Sequence, residues 1–328
     1  MKRKNTDYIV IDPHTHCRDE EWADKATIAS TLNLALSQGV DIVFDMPNLP
    51  RPVINRGRVQ DRLDLVPKGM ISHYRTYVGL TADANQIHEA LWCYHHFDEV
   101  IGLKLFAGPS VGDLAVESED EQLFVYQELA KCHYQGVLAV HCEKEGCFQP
   151  ELWDRRRLIT YGYYRPKKAE IESVRDQIRF AEESGFAGTL YICHISCRES
   201  VDLIQEAKKR GKIKIVCEAT PRHLMYNTYC LCHSDGFQQI SNPPLRSPID
   251  MQNLRNCLVW EYIDCIGTDH APHTDLQKRK ELLPGYPTLR IYRLFIDEFL
   301  PDMGIKPKQI RQITSDNIIN IFNDKLKA

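Results

Sequence analysis

The sequence predicts an α/β chain closed into a (β/α)8 TIM barrel, and three observations carry that prediction. Eight short apolar runs rich in β-branched residues are spread along 328 residues. Stretches with helical spacing lie between them. The runs are apolar nearly throughout rather than alternating, as in parallel strands buried on both faces. An open doubly wound sheet shares the pattern, but eight units at this length favour the closed barrel.

The runs cover residues 8–11, 41–44, 74–80, 100–106, 136–140, 189–193, 213–217 and 263–267. Between them, Ile87, Ala90, Leu91 and Tyr94 repeat with helical period, as do Ile171, Val174, Ile178 and Ala181. Ser118-x-x-Glu121 and Ser196-x-x-Glu199 fit capping boxes that would open helices over 123–132 and 201–209. The segment 306–325, with Ile310, Ile313, Ile318, Ile319 and Ile321, is expected to supply the last outer helix. No repeat, low-complexity segment or linker interrupts the chain, so residues 1–328 are expected to form one domain.

Composition narrows the function classes. Hydrophobic content of 43%, charged content of 26% and a net charge of −4 are those of a soluble globular protein. That charge gives no reason to expect nucleic acid or an anionic membrane as partner. No apolar run approaches the ~20 residues that span a bilayer. The basic start at residues 1–4 precedes an apolar stretch too short for a signal peptide, so the cytoplasm is the expected compartment. The twelve cysteines are scattered, often inside apolar runs, and read as reduced thiols. Cys230-x-Cys232-His233 lacks the spacing and the matching second pair of a zinc knuckle.

In such a barrel the reactive groups stand where strands end at their C-terminal mouths. The first run leads into His14-x-His16, the fourth carries Lys104, the fifth ends at His141, the sixth at His194 and the eighth at Asp269. Residues two apart on a strand face the same way, so His14 and His16 both point into the mouth. Imidazoles there can bind a divalent ion at about 2.0–2.1 Å. Taken alone, any one of these histidines is more often a hydrogen-bonded core or surface residue. Their coincidence at successive strand ends is what points to metal. Four histidines with Asp269 and Lys104 exceed one tetrahedral site and suit two ions roughly 3.5–4 Å apart. A free ammonium is a poor neighbour for two dications. A carbamate formed from Lys104 and carbon dioxide would instead be a bridging carboxylate.

The motifs His14-x-His16-x-Arg18-Asp19, Met46-Pro47-Asn48-x-Pro50, Asn242-Pro243-Pro244-Leu245-Arg246 and Asp269-His270-Ala271-Pro272-His273 together resemble the metal-dependent hydrolases of the amidohydrolase superfamily, and more narrowly the dihydroorotases. The likeness runs from the first strand to the last helix. It implies reversible interconversion of dihydroorotate and N-carbamoyl-L-aspartate, a step of pyrimidine biosynthesis. It implies two divalent ions, with zinc the first choice, the more buried held by His14, His16, Lys104 and Asp269. The second would be held by His141, His194 and the Lys104 carbamate. A bridging hydroxide would attack the ring amide, with Asp269 as general base and then general acid. Arg18 is expected to take the substrate carboxylate as a fork, and Asn48, Asn242 and His273 match further substrate-contacting positions. The loop 107–113 is expected to close over the substrate, with Ser110 as its hydroxyl.

The resemblance has departures. Many relatives add a small β-rich domain around the barrel, whereas this sequence reads as the barrel alone. After Gly285-Tyr286-Pro287 the family often continues with a glycine and an acid; here Thr288, Leu289 and Arg290 follow. Lys104 argues against the subtype that bridges with aspartate, and Glu218 reads as a supporting residue rather than a ligand. The alternatives are a dihydropyrimidinase or allantoinase, or a silent partner of aspartate carbamoyltransferase. A homodimer and an association with that transferase are the protein partners the family suggests.

Overall fold

The computed structural model describes residues 7–326, so the basic start at residues 1–4 lies outside it. Its strands pair in chain order: β1 (Ile11–Thr15), β2 (Ile42–Asp45), β3 (Tyr74–Gly79), β4 (Val100–Ala107), β5 (Val137–Cys142), β6 (Thr189–Ile192), β7 (Lys214–Ala219) and β8 (Cys265–Ile266). Every pair is parallel. The ring closes where Thr15 bridges His270, with His16 N donating to His270 O at 2.8 Å. The predicted (β/α)8 barrel is what forms. Parallel neighbours need long crossovers, and the helices between strands provide them.

The helical spacing holds. Ile87, Ala90, Leu91 and Tyr94 are buried along Ala84–His96, and Val174, Ile178 and Ala181 along Lys167–Ser184. Ser118 Oγ accepts from Glu121 N at 3.2 Å and opens Glu119–Lys131. The second capping box does not form. Its helix spans Arg198–Arg210 behind Cys197, with no side-chain cap. Ser196 turns instead to Glu170, whose carboxylate oxygens accept from Ser196 N at 3.1 Å. A buried carboxylate must find donors, and Ser196 and Ser200 supply them.

Two further expectations shift. The first strand runs forward from the apolar run to Ile11–Thr15, because pairing with β2 begins at Ile11. His14 therefore lies inside the strand and His16 just beyond it. The C-terminal stretch is one helical run, Pro307–Arg311, Gln312–Asp316 and Asn317–Ile321, whose middle turn is a π-helix. It is more than an outer helix. Ile318 and Phe322 join the apolar cluster of Ile11, Phe44, Tyr77 and Tyr191. The Phe322 ring lies 5.0 Å from Phe44 and 5.8 Å from Tyr191. Asn317 Nδ2 donates to Asp264 O just ahead of β8, so the plug enters at the strands' N-terminal end. Burying a phenylalanine is worth roughly 1.5–3 kcal/mol, which favours this inner position.

All twelve cysteines are free thiols and most are buried. No helix among the described residues is long and apolar enough to cross a membrane.

Candidate metal centre and substrate cavity

The opposite end of the barrel carries the chemistry. His14, His16 and Asp269 each offer a ligand atom, and these atoms lie within 4.8 Å of one another. His16 Nε2 is 3.1 Å and His14 Nε2 3.4 Å from the same Asp269 oxygen. Behind them stands Glu218 at the mouth of β7, fully buried. Its Oε1 accepts from His14 Nδ1 and from His194 N, both at 2.9 Å, and its Oε2 accepts from Tyr191 at 2.7 Å. A carboxylate on one ring nitrogen fixes the other as the nitrogen that faces a metal. Gly267 makes this approach possible. A Cβ there would stand 2.4 Å from Glu218 Oε2 and 2.9 Å from His14 Cβ.

The β4–β6 side is arranged differently. Lys104, buried on β4, donates from Nζ to Cys193 Sγ at 3.0 Å. His141 Nδ1 and His194 Nε2 are 2.9 Å apart and bond each other. The His194 ring is 5.2 Å from that of His14, which joins the two sides. Glu143, 3.5 Å from His141 Nε2, is already paired with Arg165 at 2.6 Å.

Burial works against charge throughout the site. It lowers His16 to about 4 and takes His141 and His194 below the usual imidazole range, so these rings are held neutral, the form that ligates metal. At His14 burial is outweighed by the Glu218 carboxylate, and the ring is raised to about 10. Burial would also raise Asp269, but its hydrogen bond to His16 and the nearby His14 keep it well below the carboxylate range. His16 Nδ1, His141 Nε2 and His194 Nδ1 are buried without a hydrogen-bond partner. Buried polar atoms are seldom left so. His14 Nε2 and His16 Nε2, both turned to one oxygen of the ionised Asp269, form a donor set that suits divalent cations.

Three of the polar residues here adopt left-handed backbone: Arg18 at φ 59°, His194 at 37° and Asp269 at 48°. Each costs about 1–2 kcal/mol for a residue with a Cβ. Strain held at three strand mouths marks a functional site. Asp45 sustains the first case, accepting from Cys17 N at 2.8 Å while anchored by Arg62 at 2.6 Å and Tyr74 at 2.8 Å.

A small cavity opens beside the candidate metal ligands. His16, Arg18, Asn48, Ser110, Asn242, Asp269, Ala271, Pro284 and Gly285 are among its walls. Arg18 is buried, its Nη1 has no partner, and burial lowers it to about 10. Asn48 donates to Val111 O at 2.7 Å, which ties down the loop bearing Ser110, and its Oδ1 has no partner. Asn242 Oδ1 accepts from Tyr161 at 2.6 Å. His273 stands behind this wall, its Nε2 donating to Pro284 O at 2.9 Å and lying 3.4 Å from an Arg18 nitrogen. At the unusual rim, Leu289 N donates to His270 Nδ1 at 3.2 Å while Arg290 is exposed.

The sequence did not single out Asp45, Tyr161, Arg165 or Cys193. The strand-end rule reaches Asp45 on β2 and Glu143 after β5, but it cannot separate a ligand from the residue that braces one. Arg165 and Tyr161 come from the long segment after β5, which carries no periodic signal.

No family model matches the chain. It is 28% identical to the dihydroorotase of Methanosphaera stadtmanae, over 96% of this chain and 70% of that protein. With the dihydroorotase of Halobacterium salinarum identity is 29%, over 99% of this chain and 74% of the relative. With that of Brevibacillus brevis it is 30%, over 82% and 61%. Among solved structures, the L-hydantoinase (dihydropyrimidinase) from Arthrobacter aurescens superposes with a TM-score of 0.85 over 96% of this chain and 71% of its own. Sequence identity there is 20%, and the likeness speaks for the fold. By sequence, then, the chain is a homologue of the dihydroorotases, carried on a barrel like that of the hydantoinases.

Proposed function

We propose that the protein is a dihydroorotase, a metal-dependent cyclic amidohydrolase that interconverts (S)-dihydroorotate and N-carbamoyl-L-aspartate. The observation that carries this is a buried arginine with a free Nη1 in the same small cavity as His16 and Asp269. An anionic ring amide needs that pairing; a neutral one does not.

His14, His16 and Asp269 would hold one divalent ion and His141 and His194 the other, with Lys104 bridging as a carbamate; zinc is the proposed metal. When bound, the ions supply hydroxide near neutral pH and polarise the amide carbonyl. Asp269, held ionised, takes the proton of the attacking water and returns it to the departing ring nitrogen. Arg18 binds the carboxylate, Asn48 and Asn242 complete the cradle, and His273, beside Arg18, is the further substrate contact that the family pattern suggests. Ser110, on the loop tied by Asn48, closes the cavity.

Residues 1–328 are proposed to act as one catalytic domain in the cytoplasm. A second copy of the chain and an aspartate carbamoyltransferase, whose product is the open substrate, are the proposed protein partners. The hydantoinase-like fold keeps dihydropyrimidinase or allantoinase as the second reading. A substrate panel on protein of measured metal content decides between them. Turnover of dihydroorotate and carbamoyl aspartate is expected. Turnover of hydantoin or allantoin with none of dihydroorotate would reverse the assignment, and protein that binds no ion would point to a silent transferase partner.

A further inference from the structure

Behind the cavity wall, Lys278 occupies a place that the proposed chemistry does not use. It lies on the short helix Asp275–Lys280 and is 2% exposed. Its Nζ donates to three main-chain carbonyls, Ile240 at 2.9 Å, Leu283 at 2.8 Å and Gly285 at 2.8 Å. Burial pulls this amine down to about 6, but three carbonyl acceptors at 2.8–2.9 Å favour its charged form, and an ammonium has three N–H bonds. Its burial is tolerable only when each is met, and here each meets an acceptor.

Those carbonyls belong to two segments of the cavity wall. Ile240 stands two residues before Asn242, and Leu283 and Gly285 flank Pro284; Asn242, Pro284 and Gly285 all line the cavity. The segments also touch directly, Gly285 N donating to Ile240 O at 2.9 Å. On its other side the 284–286 stretch abuts the Asp-His-Ala-Pro-His motif. There Tyr286 O accepts from Ala271 N at 2.9 Å, and Pro284 O from His273 at 2.9 Å. Gly285 has φ +142°, and a Cβ there would stand 2.5 Å from Ala271 O. The loop is pressed against the motif, and the Lys278 side chain reaches both its ends and residue 240.

We propose that Lys278 is a positioning residue for substrate selection: by gathering three carbonyls on one nitrogen it sets the spacing between Asn242 and the Pro284–Gly285 main chain, and so which ring amides fit beside Arg18. The identity of the ring rests on the dihydroorotase reading; the clamp itself does not. Lys278→Met removes the donors with little change of volume. In the full chain, at metal content matched to wild type, KM for dihydroorotate should rise about tenfold while kcat changes less than about threefold. Amide exchange over 239–242 and 283–287 should quicken. Lys278→Arg, which keeps donors, should recover most of the KM. Where the methionine variant does not fold, Lys278→Gln carries the same measurements.

A fall in Tm with KM unchanged, or exchange over both segments unchanged, overturns the proposal. If the wild type turns over hydantoin instead of dihydroorotate, the functional reading fails while the clamp is judged on the KM for hydantoin. If it turns over neither, exchange alone decides for or against the clamp.

Discussion

The two sides of the candidate metal centre are built by different means. On the β1/β8 side the imidazoles are braced from behind, with Glu218 on His14 and Asp269 between His14 and His16. Asp12 reinforces that side, accepting from Thr268 N at 2.9 Å and so fixing the approach to Asp269. On the β4–β6 side the imidazoles lean on each other and the lysine leans on a thiol. Its nearest carboxylate, Glu143, is taken up by Arg165. One side has its side-chain geometry supplied by carboxylates; on the other, the proposed carbamate on Lys104 would complete the arrangement.

The sharpest way to break this contrast is Lys104→Ala. If Lys104 carries the proposed bridge between two ions, this variant should lose several kcal/mol of transition-state stabilisation, roughly a thousandfold in kcat/KM. Short carboxylic acids should restore part of both activity and metal content. Metal content equal to that of wild type would show that the lysine bridges nothing.

Glu218→Gln tests the braced side and should act more mildly. Removing a carboxylate behind a metal-binding imidazole typically weakens metal affinity about 10–100-fold. Titration with a graded chelator should show one ion leaving early and the other retained better. Simultaneous loss of both, or no loss, would erase the distinction between the sides.

The smallest effect comes from outside both sides and provides their background. His223 is buried between Thr220 and the Pro243 carbonyl, and burial, with Arg222 nearby, lowers it to about 4 from 6.5. The unfolded chain therefore takes up a proton that the folded chain refuses between those values. The stabilisation is complete above about pH 6.5 and is lost as pH falls towards about 4. Between pH 7 and 5, His223→Gln should lose about 2–4 °C less in Tm than wild type. Parallel pH profiles for the two proteins would assign the acid sensitivity to the site's own histidines.

Much of this molecule is legible in one dimension. Ile87, Ala90, Leu91 and Tyr94 announce a helix because period and burial coincide in a short window. His14, Lys104, His141, His194 and Asp269 announce a site because the barrel topology sends every strand's C-terminal end to the same rim. The failures have a physical cause too. Ser196 has the sequence of a cap, yet it satisfies Glu170, which lies 26 residues earlier. The tail reads as an outer helix, yet Phe322 finds a better-buried place against Phe44 and Tyr191.

Local spacing, by itself, determined the strands, the helices and the kinds of atom offered at the mouth. Which carboxylate braces a ring, which arginine keeps an open Nη1, and which lysine ties the cavity wall were decided only in the folded chain. Partners such as His14 and Glu218 are separated by 204 residues. Their pairing is set by the closure of the cylinder, and no short window of sequence carries it.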